Sequence, residues 1–200
     1  MGRNPNNGSR PQAHPWDDVV MDSLRGHLLV AGSGLCDPNF RRTVVLIGHH
    51  DDEGAVGVVL NQPLDATVEE AAPPLSPLVP PGESLFRGGP VQPEAAVVLA
   101  DFEDPGRAGV LALDSIGFLP EESDTSSLGG LRRARVFAGY AGWSAGQLEA
   151  EIAEDSWHAT PALPVDVFTE DPEGLWARAV GRLGPGYQLL ATMPVDPTLN

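Results

Sequence analysis

Short apolar runs separated by polar turns dominate the first half of the chain. The runs His27–Ala31, Thr43–Gly48 and Ala55–Asn61 are rich in Val, Leu and Ile, and the polar segment His50–Gly54 joins the last two. Two β-type runs joined by a short polar segment that ends in glycine predict a hairpin. Because the runs are continuously apolar rather than alternating, we expect both faces of these strands to be covered by other layers.

The second half continues with apolar runs that predict four more strands. Their positions are Ala95–Ala100, Val110–Leu113, Arg135–Tyr140 and Val165–Phe168. The proline-dense segment 73–82 predicts a loop, since proline donates no ladder hydrogen bond. Residues 120–130, rich in Glu, Ser and Gly, predict a surface loop or a short helix.

Two helices are predicted from their caps. Ser144 and Gln147 have the spacing of a capping box, which predicts that Ser144 is the N-cap of a helix. Asp171-Pro172 predicts a second helix that ends at Gly184-Pro185. Strand runs and helices without a repeat or a linker predict an α+β fold in a single domain.

The ends of the chain set the expected domain boundary. Residues 1–16 are rich in Asn, Pro, Gly and Arg and carry almost no core-forming side chains. Such a composition predicts a disordered tail, which leaves 17–200 as the folded domain. Met21 is an alternative start that would remove this tail without touching the apolar pattern.

Charge and composition narrow the function classes. The formal net charge is −16 over 200 residues, and all twelve basic residues are arginine. Direct binding to nucleic acid is disfavoured, because neutralising phosphates supplies most non-specific affinity. The small cluster Arg132, Arg133 and Arg135 is interpreted as a solvated strand start. The longest apolar runs are too short to cross a bilayer, and a single cysteine favours a reducing cytoplasm.

Four segments of the chain together carry motifs with a specific order and spacing. They are 26–63, 86–91, 136–157 and 167–184. The most specific motifs within them are Asp-Pro-x-Phe at 37–40, Gly-Ala-x-Gly-x-Val-x-Asn-x-Pro at 54–63, Gly-Gly-Pro-Val at 88–91 and Gly-Tyr-Ala-Gly-Trp-x-x-Gly-Gln-Leu-Glu at 139–149. In this combination the chain resembles the AlgH/YqgE family of bacterial proteins from about residue 22 to 196.

The resemblance implies an α+β fold with a large mixed β-sheet flanked by a few helices. It implies little chemistry, because the family is largely uncharacterised. Some members are labelled transcriptional regulators of polysaccharide production, which does not establish contact with DNA. Many members carry a cysteine where this chain has Gly48, so a thiol role at that position is not carried over.

Two nucleophile candidates and one metal candidate are weighed against structural roles. Cys36 needs a converging histidine base to act as a nucleophile, and a semi-buried thiol is the favoured interpretation. Within His49–Glu53, adjacent strand residues point to opposite faces, so a solvated turn is favoured over a metal site. Gly142–Gly146 matches the Gly-x-Ser-x-Gly elbow of hydrolases, with Ser144 as nucleophile and His158 the only histidine that follows.

The sequence therefore favours a non-enzymatic cytoplasmic protein with a binding or regulatory role, which acts through contact with a protein or a small ligand. No catalytic set, cofactor or metal centre is predicted, and a serine hydrolase that uses Ser144 is the alternative. The candidate contact surface combines glycines with stacking aromatic rings. Its residues are Gly88, Gly89, Pro90, Tyr140 and Trp143.

Overall fold

The structure of the chain, a computed structural model, describes residues 23–187 except Ser33, Cys36, Pro38 and 121–128. The predicted tail, the domain boundary at residue 17, the alternative start and Cys36 lie outside the described residues. Most of the predicted surface loop at 120–130 does so as well.

Ten strands and four α-helices are found within the described residues. The strands are β1 (His27–Ala31), β2 (Val44–Asp51), β3 (Gly54–Val59), β4 (Pro63–Thr67), β5 (Ser84–Arg87), β6 (Val91–Phe102), β7 (Val110–Leu113), β8 (Ile116–Phe118), β9 (Leu131–Ser144) and β10 (Trp157–Pro161). The helices are α1 (Val68–Ala71), α2 (Gln147–Ala153), α3 (Pro164–Val167) and α4 (Pro172–Arg182). The proline-dense segment contains a 3-10 turn at Pro73–Leu78.

The strands form one mixed sheet in the order β10-β1-β2-β3-β9-β6-β8-β7. Neighbours along this path are antiparallel, and β5 adds a parallel pairing to β9 while also pairing with β4. The predicted hairpin is confirmed as β2 and β3, which are joined by Asp52 and Glu53. The prediction of a single α+β domain with a large mixed sheet flanked by a few helices is confirmed.

The first strands are buried on both faces, as their continuous apolar runs predicted. Leu28 and Leu46 belong to a central core that one face of the sheet shares with α4. Their chain neighbours Leu29 and Val45 belong to a second core beneath α2. A third core lies beneath α1 on the outer face of β6 and β9. Because successive side chains of a strand point to opposite faces of the sheet, one apolar run contributes to two cores.

Helix α4 begins as its sequence predicted. The Asp171 side chain accepts a hydrogen bond from the Gly174 N–H at 3.0 Å, and Pro172 occupies the first turn. That N–H, followed by the Arg178 guanidinium, holds the pKa of the Asp171 carboxyl below its usual range. Leu175 and Ala179 are fully buried in the central core, so this face of the helix packs against the sheet.

The predicted strand at Val165–Phe168 is wrong, because this segment forms the short helix α3. Pro164 starts the helix, and Asp166 accepts the backbone N–H of Leu163 at 2.9 Å. Asp166 is itself buried and forms an ion pair with Arg182 at 2.8 Å. A buried carboxylate with an arginine partner thus fixes the turn that the apolar run alone did not reveal.

One arginine of the predicted solvated cluster is buried, so that interpretation is wrong for Arg135. Its guanidinium donates hydrogen bonds to the carbonyls of Val167 at 3.0 Å and Thr169 at 2.9 Å. It also lies 4.2 Å from the ring centroid of Phe86. Burial lowers the pKa of Arg135 to about 10, which leaves it charged at neutral pH. The side chain ties the segment between α3 and α4 to the sheet.

Within the described residues, no helix is both long enough and apolar enough to cross a membrane.

An apolar groove as the candidate functional site

A β-bulge in β2 shapes one side of an open groove. Ile47 pairs with Gly57 and His49 with Val56, so Gly48 is the extra residue between them. A bulge of this kind changes which face the following side chains occupy. His49 therefore borders the groove, whereas His50 is buried toward α2.

A kink in β9 shapes the opposite side. Gly139 has a φ of 68°, and the register of β6 slips between Val91, which pairs with Tyr140, and Ala96, which pairs with Ala138. Only glycine adopts this backbone conformation at no steric cost. The kink lets both Phe137 and Tyr140 pack on the central core, although they are three residues apart.

An open cavity of about 220 Å³ lies between the bulge at Gly48 and the kink at Gly139. Its walls are almost entirely apolar, and they come from six strands. The lining residues are Gly48, His49, Val56, Val58, Val97, Val110, Phe118 and Tyr140. Val56 is 42% exposed and Val110 is 40% exposed, so two large apolar side chains lie at its rim.

The polar groups of the groove lie at its edges. His49 Nε2 is 2.8 Å from Asp51 Oδ2, and Asp51 Oδ1 accepts the N–H of Glu53 at 2.9 Å. That N–H is the first cause, and His49 the second, of a pKa of Asp51 below its usual range. Among the residues that the structure describes, the Tyr140 hydroxyl has no hydrogen-bond partner.

The floor of the groove explains the glycine at position 48. A Cβ at Gly48 would lie 2.2 Å from Cε2 of Phe118, so the aromatic ring occupies the space that any larger side chain would take. A cysteine at this position, which the family resemblance associates with many members, would require Phe118 to move. In this chain the floor is therefore an aromatic surface.

The five residues predicted as a contact surface do not lie on one face. Gly88 and Gly89 are buried against the backbone of Gly139 and Tyr140, where an added Cβ would be 2.1 to 2.2 Å from backbone atoms. Pro90 is exposed next to Val91, the residue paired with Tyr140. Tyr140 lines the groove, whereas Trp143 packs on the opposite side of the sheet.

Trp143 belongs to a buried aromatic cluster that depends on a carboxylate. Its Nε1 donates to Glu151 Oε2 at 2.8 Å, and Trp157 Nε1 donates to the same oxygen at 2.9 Å. Phe40 lies 5.4 Å from the Trp157 ring, centroid to centroid. The sequence did not single out Glu151 as a functional or structural residue.

The structure does not bring the hydrolase candidates together. Ser144 ends β9 beside Gly54, and His158 lies on β10, with three strands between them in the sheet. At the usual spacing of strands they are separated by roughly 19 Å across the sheet. His158 instead packs its ring against Tyr187, at 4.7 Å between centroids.

The predicted capping box is only half present. Gln147 Oε1 accepts from the Ser144 N–H and hydroxyl, each at 3.1 Å. Helix α2 itself begins at Gln147 after Gly146, which has a φ of 72°. The prediction that Ser144 is the N-cap is therefore wrong by two residues, because the strand continues to Ser144 and Gly146, in a left-handed conformation, precedes the helix.

The two adjacent histidines point to opposite faces, as predicted. His50 is buried, with Nδ1 accepting the Leu24 N–H at 2.9 Å and Nε2 lying 2.7 Å from Glu149 Oε1. Because Nδ1 is an acceptor, Nε2 carries the proton of the neutral ring and donates to Glu149. His50 thus holds the entry to β1 against α2 and has no nitrogen left for a metal ion. Among the described residues, no cluster of three or more potential metal ligands is found.

The architecture defines the class of protein. It is a single α+β domain whose mixed sheet carries an apolar groove. The chain belongs to the AlgH-like family, whose model, DUF179, matches residues 28–188. The resemblance that the motifs indicated is thereby confirmed.

Relatives and solved structures match over nearly their whole length. A UPF0301 protein of Thermobifida fusca (strain YX) is 44% identical over 190 residues, which cover 89% of this chain and 96% of the relative. One of Mycobacterium ulcerans (strain Agy99) is 38% identical, covering 95% and 99%. A crystal structure of a Corynebacterium diphtheriae protein has a TM-score of 0.76 and 27% identity, covering 86% of this chain and 93% of that chain. The solution structure of the AlgH protein from Pseudomonas aeruginosa has a TM-score of 0.64 and 30% identity, covering 92% and 98%.

Proposed function

We propose that this protein is a non-enzymatic cytoplasmic binding module with a regulatory role, and that its groove receives an apolar side chain of a partner protein. The observation that carries the proposal is the open apolar cavity with two exposed valines at its rim. A partner's apolar side chain that enters this cavity would remove apolar area from water on both proteins, which is favourable.

The size of the groove favours a protein side chain over a free small molecule. Pockets for drug-sized ligands usually enclose roughly 300–1,000 Å³ and several convergent polar groups. This cavity is smaller, at about 220 Å³, and the Tyr140 hydroxyl and His49 are the polar groups that border it. An aromatic or leucine side chain, held by a backbone that rests on the rim, suits these dimensions.

The contact residues of the proposal revise the predicted surface. Tyr140 forms a wall of the groove, and exposed Pro90 extends the surface beside it. Gly88 and Gly89 allow their segment to pack closely against the backbone of β9, and this contact positions Tyr140. Trp143 supports the same strand from the opposite face. A net charge of −16 continues to disfavour direct contact with nucleic acid.

Titration with the peptide acetyl-Gly-Gly-Phe-Gly-Gly-amide is expected to shift the methyl resonances of Val56, Val97 and Val110 in methyl-labelled protein. The reason is that the phenylalanine ring enters the cavity and its ring current acts on the walls. Replacing both rim valines by serine, Val56→Ser with Val110→Ser, should weaken binding by at least about tenfold, since burial of a valine against the ring stabilises by about 1.5 kcal/mol or more.

A matched control separates the groove from general surface stickiness. Val165→Ser removes an equally apolar side chain that is 72% exposed on α3, away from the groove. This variant should bind the peptide as the parent protein does. Shifts spread over the whole surface, or groove binding of free toluene without any binding of the peptide, would contradict a protein-docking role.

A further inference from the structure

An acidic turn adjoins one end of the groove. Asp51, Asp52 and Glu53 form the tip of the β2–β3 hairpin, and all three are exposed. In the ladder, the pair of His49 with Val56 in the groove wall lies two steps from the pair of Asp51 with Gly54. Side chains two residues apart share a face of a strand, and the contact of His49 with Asp51 confirms that the Asp51 carboxylate lies on the groove side.

The carboxylates of this turn are not neutralised by arginine. Elsewhere in the described chain, arginines form ion pairs with Glu83, Asp101, Asp166, Glu170 and Asp171. Within the same described residues, Asp52 and Glu53 have no ion-pair partner, and Asp51 has only His49. The backbone N–H of Glu53, which lowers the pKa of Asp51, helps to keep that carboxylate ionised. One end of the apolar groove therefore carries carboxylates that no arginine of the described residues neutralises.

From this arrangement we infer that the groove takes a protein segment in which an apolar side chain is flanked by arginine or lysine, and that the acidic turn Asp51–Glu53 selects the basic flank. The inference rests on the proposed function and specifies its partner. The apolar side chain supplies the buried contact, and the basic residues face the carboxylates of the turn. Charge complementarity of this kind sets specificity and the rate of encounter more than affinity.

Three peptides that share one anchor test this selection. The sequences are Arg-Arg-Gly-Phe-Gly-Arg-Arg, Ser-Ser-Gly-Phe-Gly-Ser-Ser and Glu-Glu-Gly-Phe-Gly-Glu-Glu, each acetylated and amidated. In low salt, the arginine peptide should bind about tenfold tighter than the serine peptide, and the glutamate peptide most weakly, because several exposed charge pairs each contribute a modest amount. In 1 M NaCl, where the Debye length is about 3 Å, the three affinities should converge to within about twofold.

Two variants of equal charge separate the turn from the net charge of the protein. Asp51→Asn with Asp52→Asn and Glu53→Gln removes three carboxylates at the turn while keeping an acceptor for the Glu53 N–H. Glu69→Gln with Glu154→Gln and Glu173→Gln removes three exposed carboxylates on α1, α4 and the end of α2. We expect the first variant to lose the tenfold preference and the second to keep it, with the serine peptide binding equally to both.

The outcomes distinguish the two proposals. If none of the peptides binds, the proposed docking function is wrong. Equal binding of all three in low salt, with loss of binding in the rim-valine variant, would retain the docking function and overturn the inference about the basic flank. A preference for arginine that both charge variants weaken alike would assign it to the overall charge, and this would also overturn the role of the turn.

Discussion

Replacing Gly89 with alanine is expected to lower the free energy of unfolding by about 3 kcal/mol or more. Overpacking in a well-packed interior commonly costs about 1–3 kcal/mol, and a clash with rigid backbone cannot be relieved by moving a side chain. A Cβ at Gly89 would lie 2.2 Å from both the carbonyl carbon and oxygen of Tyr140. The two chain segments would have to separate, and urea unfolding monitored by circular dichroism measures the loss.

A second glycine provides the control for this substitution. Gly181 lies on the exposed side of α4, and an added Cβ there would meet nothing within 4 Å. Gly181→Ala should therefore stabilise the protein by about 0.5–1 kcal/mol, as alanine does in a helix. Equal stability of the Gly89 and Gly181 variants would show that the packing of Gly89 against the Tyr140 backbone is far looser than the structure indicates.

The same substitution connects the fold to the groove. Gly88 and Gly89 pass closest to β9 where Gly139 kinks it, and Tyr140 follows directly. The Val59 N–H donates to the Gly88 carbonyl at 2.9 Å, so the segment that contains Gly88 and Gly89 is also hydrogen-bonded to β3. Two of the motifs that identify the family therefore meet at a close backbone contact. Their glycines have a structural explanation, and under the proposed function they would affect binding through the position of Tyr140.

Apolar patterning predicted the centre of the sheet because burial on both faces leaves an unbroken apolar run. The bounds of β1 agree with the predicted run His27–Ala31, and β7 agrees with Val110–Leu113. Strand β10 was not predicted, since Trp157–Pro161 is an edge strand that mixes polar and apolar side chains. A short apolar run also failed to distinguish a strand from the one-turn helix α3, where a buried ion pair decides the conformation.

The groove could not be predicted from the sequence, because residues far apart in the chain build it. Tyr140 was the one lining residue that the sequence singled out as a contact candidate. Val56 and Val110 appeared there as ordinary strand residues, and only the bend of the sheet places both at one rim. The bulge at Gly48 and the kink at Gly139 have no pattern of their own in a single sequence. They become visible when two strands are paired.

The aromatic cluster of Trp143, Trp157 and Phe40 is held by one carboxylate, Glu151, whose Oε2 accepts both indole N–H groups. Glu151→Ala is expected to lower the free energy of unfolding by about 3 kcal/mol, because it removes the oxygen that accepts both indole N–H groups. A buried donor left without an acceptor costs about 1–3 kcal/mol, and two are affected here. Trp157 is 1% exposed and Trp143 is 7% exposed, so water has little access to either ring. Denaturation followed by tryptophan fluorescence measures the change.

Two variants sharpen this prediction into a test of the shared acceptor. Glu151→Gln keeps a carbonyl oxygen for the indoles but loses the acceptor that Gln147 Nε2 contacts at 2.8 Å, so it should cost about 1 kcal/mol. Glu154→Ala removes a neighbouring exposed carboxylate and should change stability by less than about 0.5 kcal/mol. A Glu151→Ala variant as stable as Glu154→Ala would mean that water satisfies both indoles, and that packing among Phe40, Trp143 and Trp157 holds the cluster. The three variants together therefore separate hydrogen bonding from packing as the force that keeps β9 against α2.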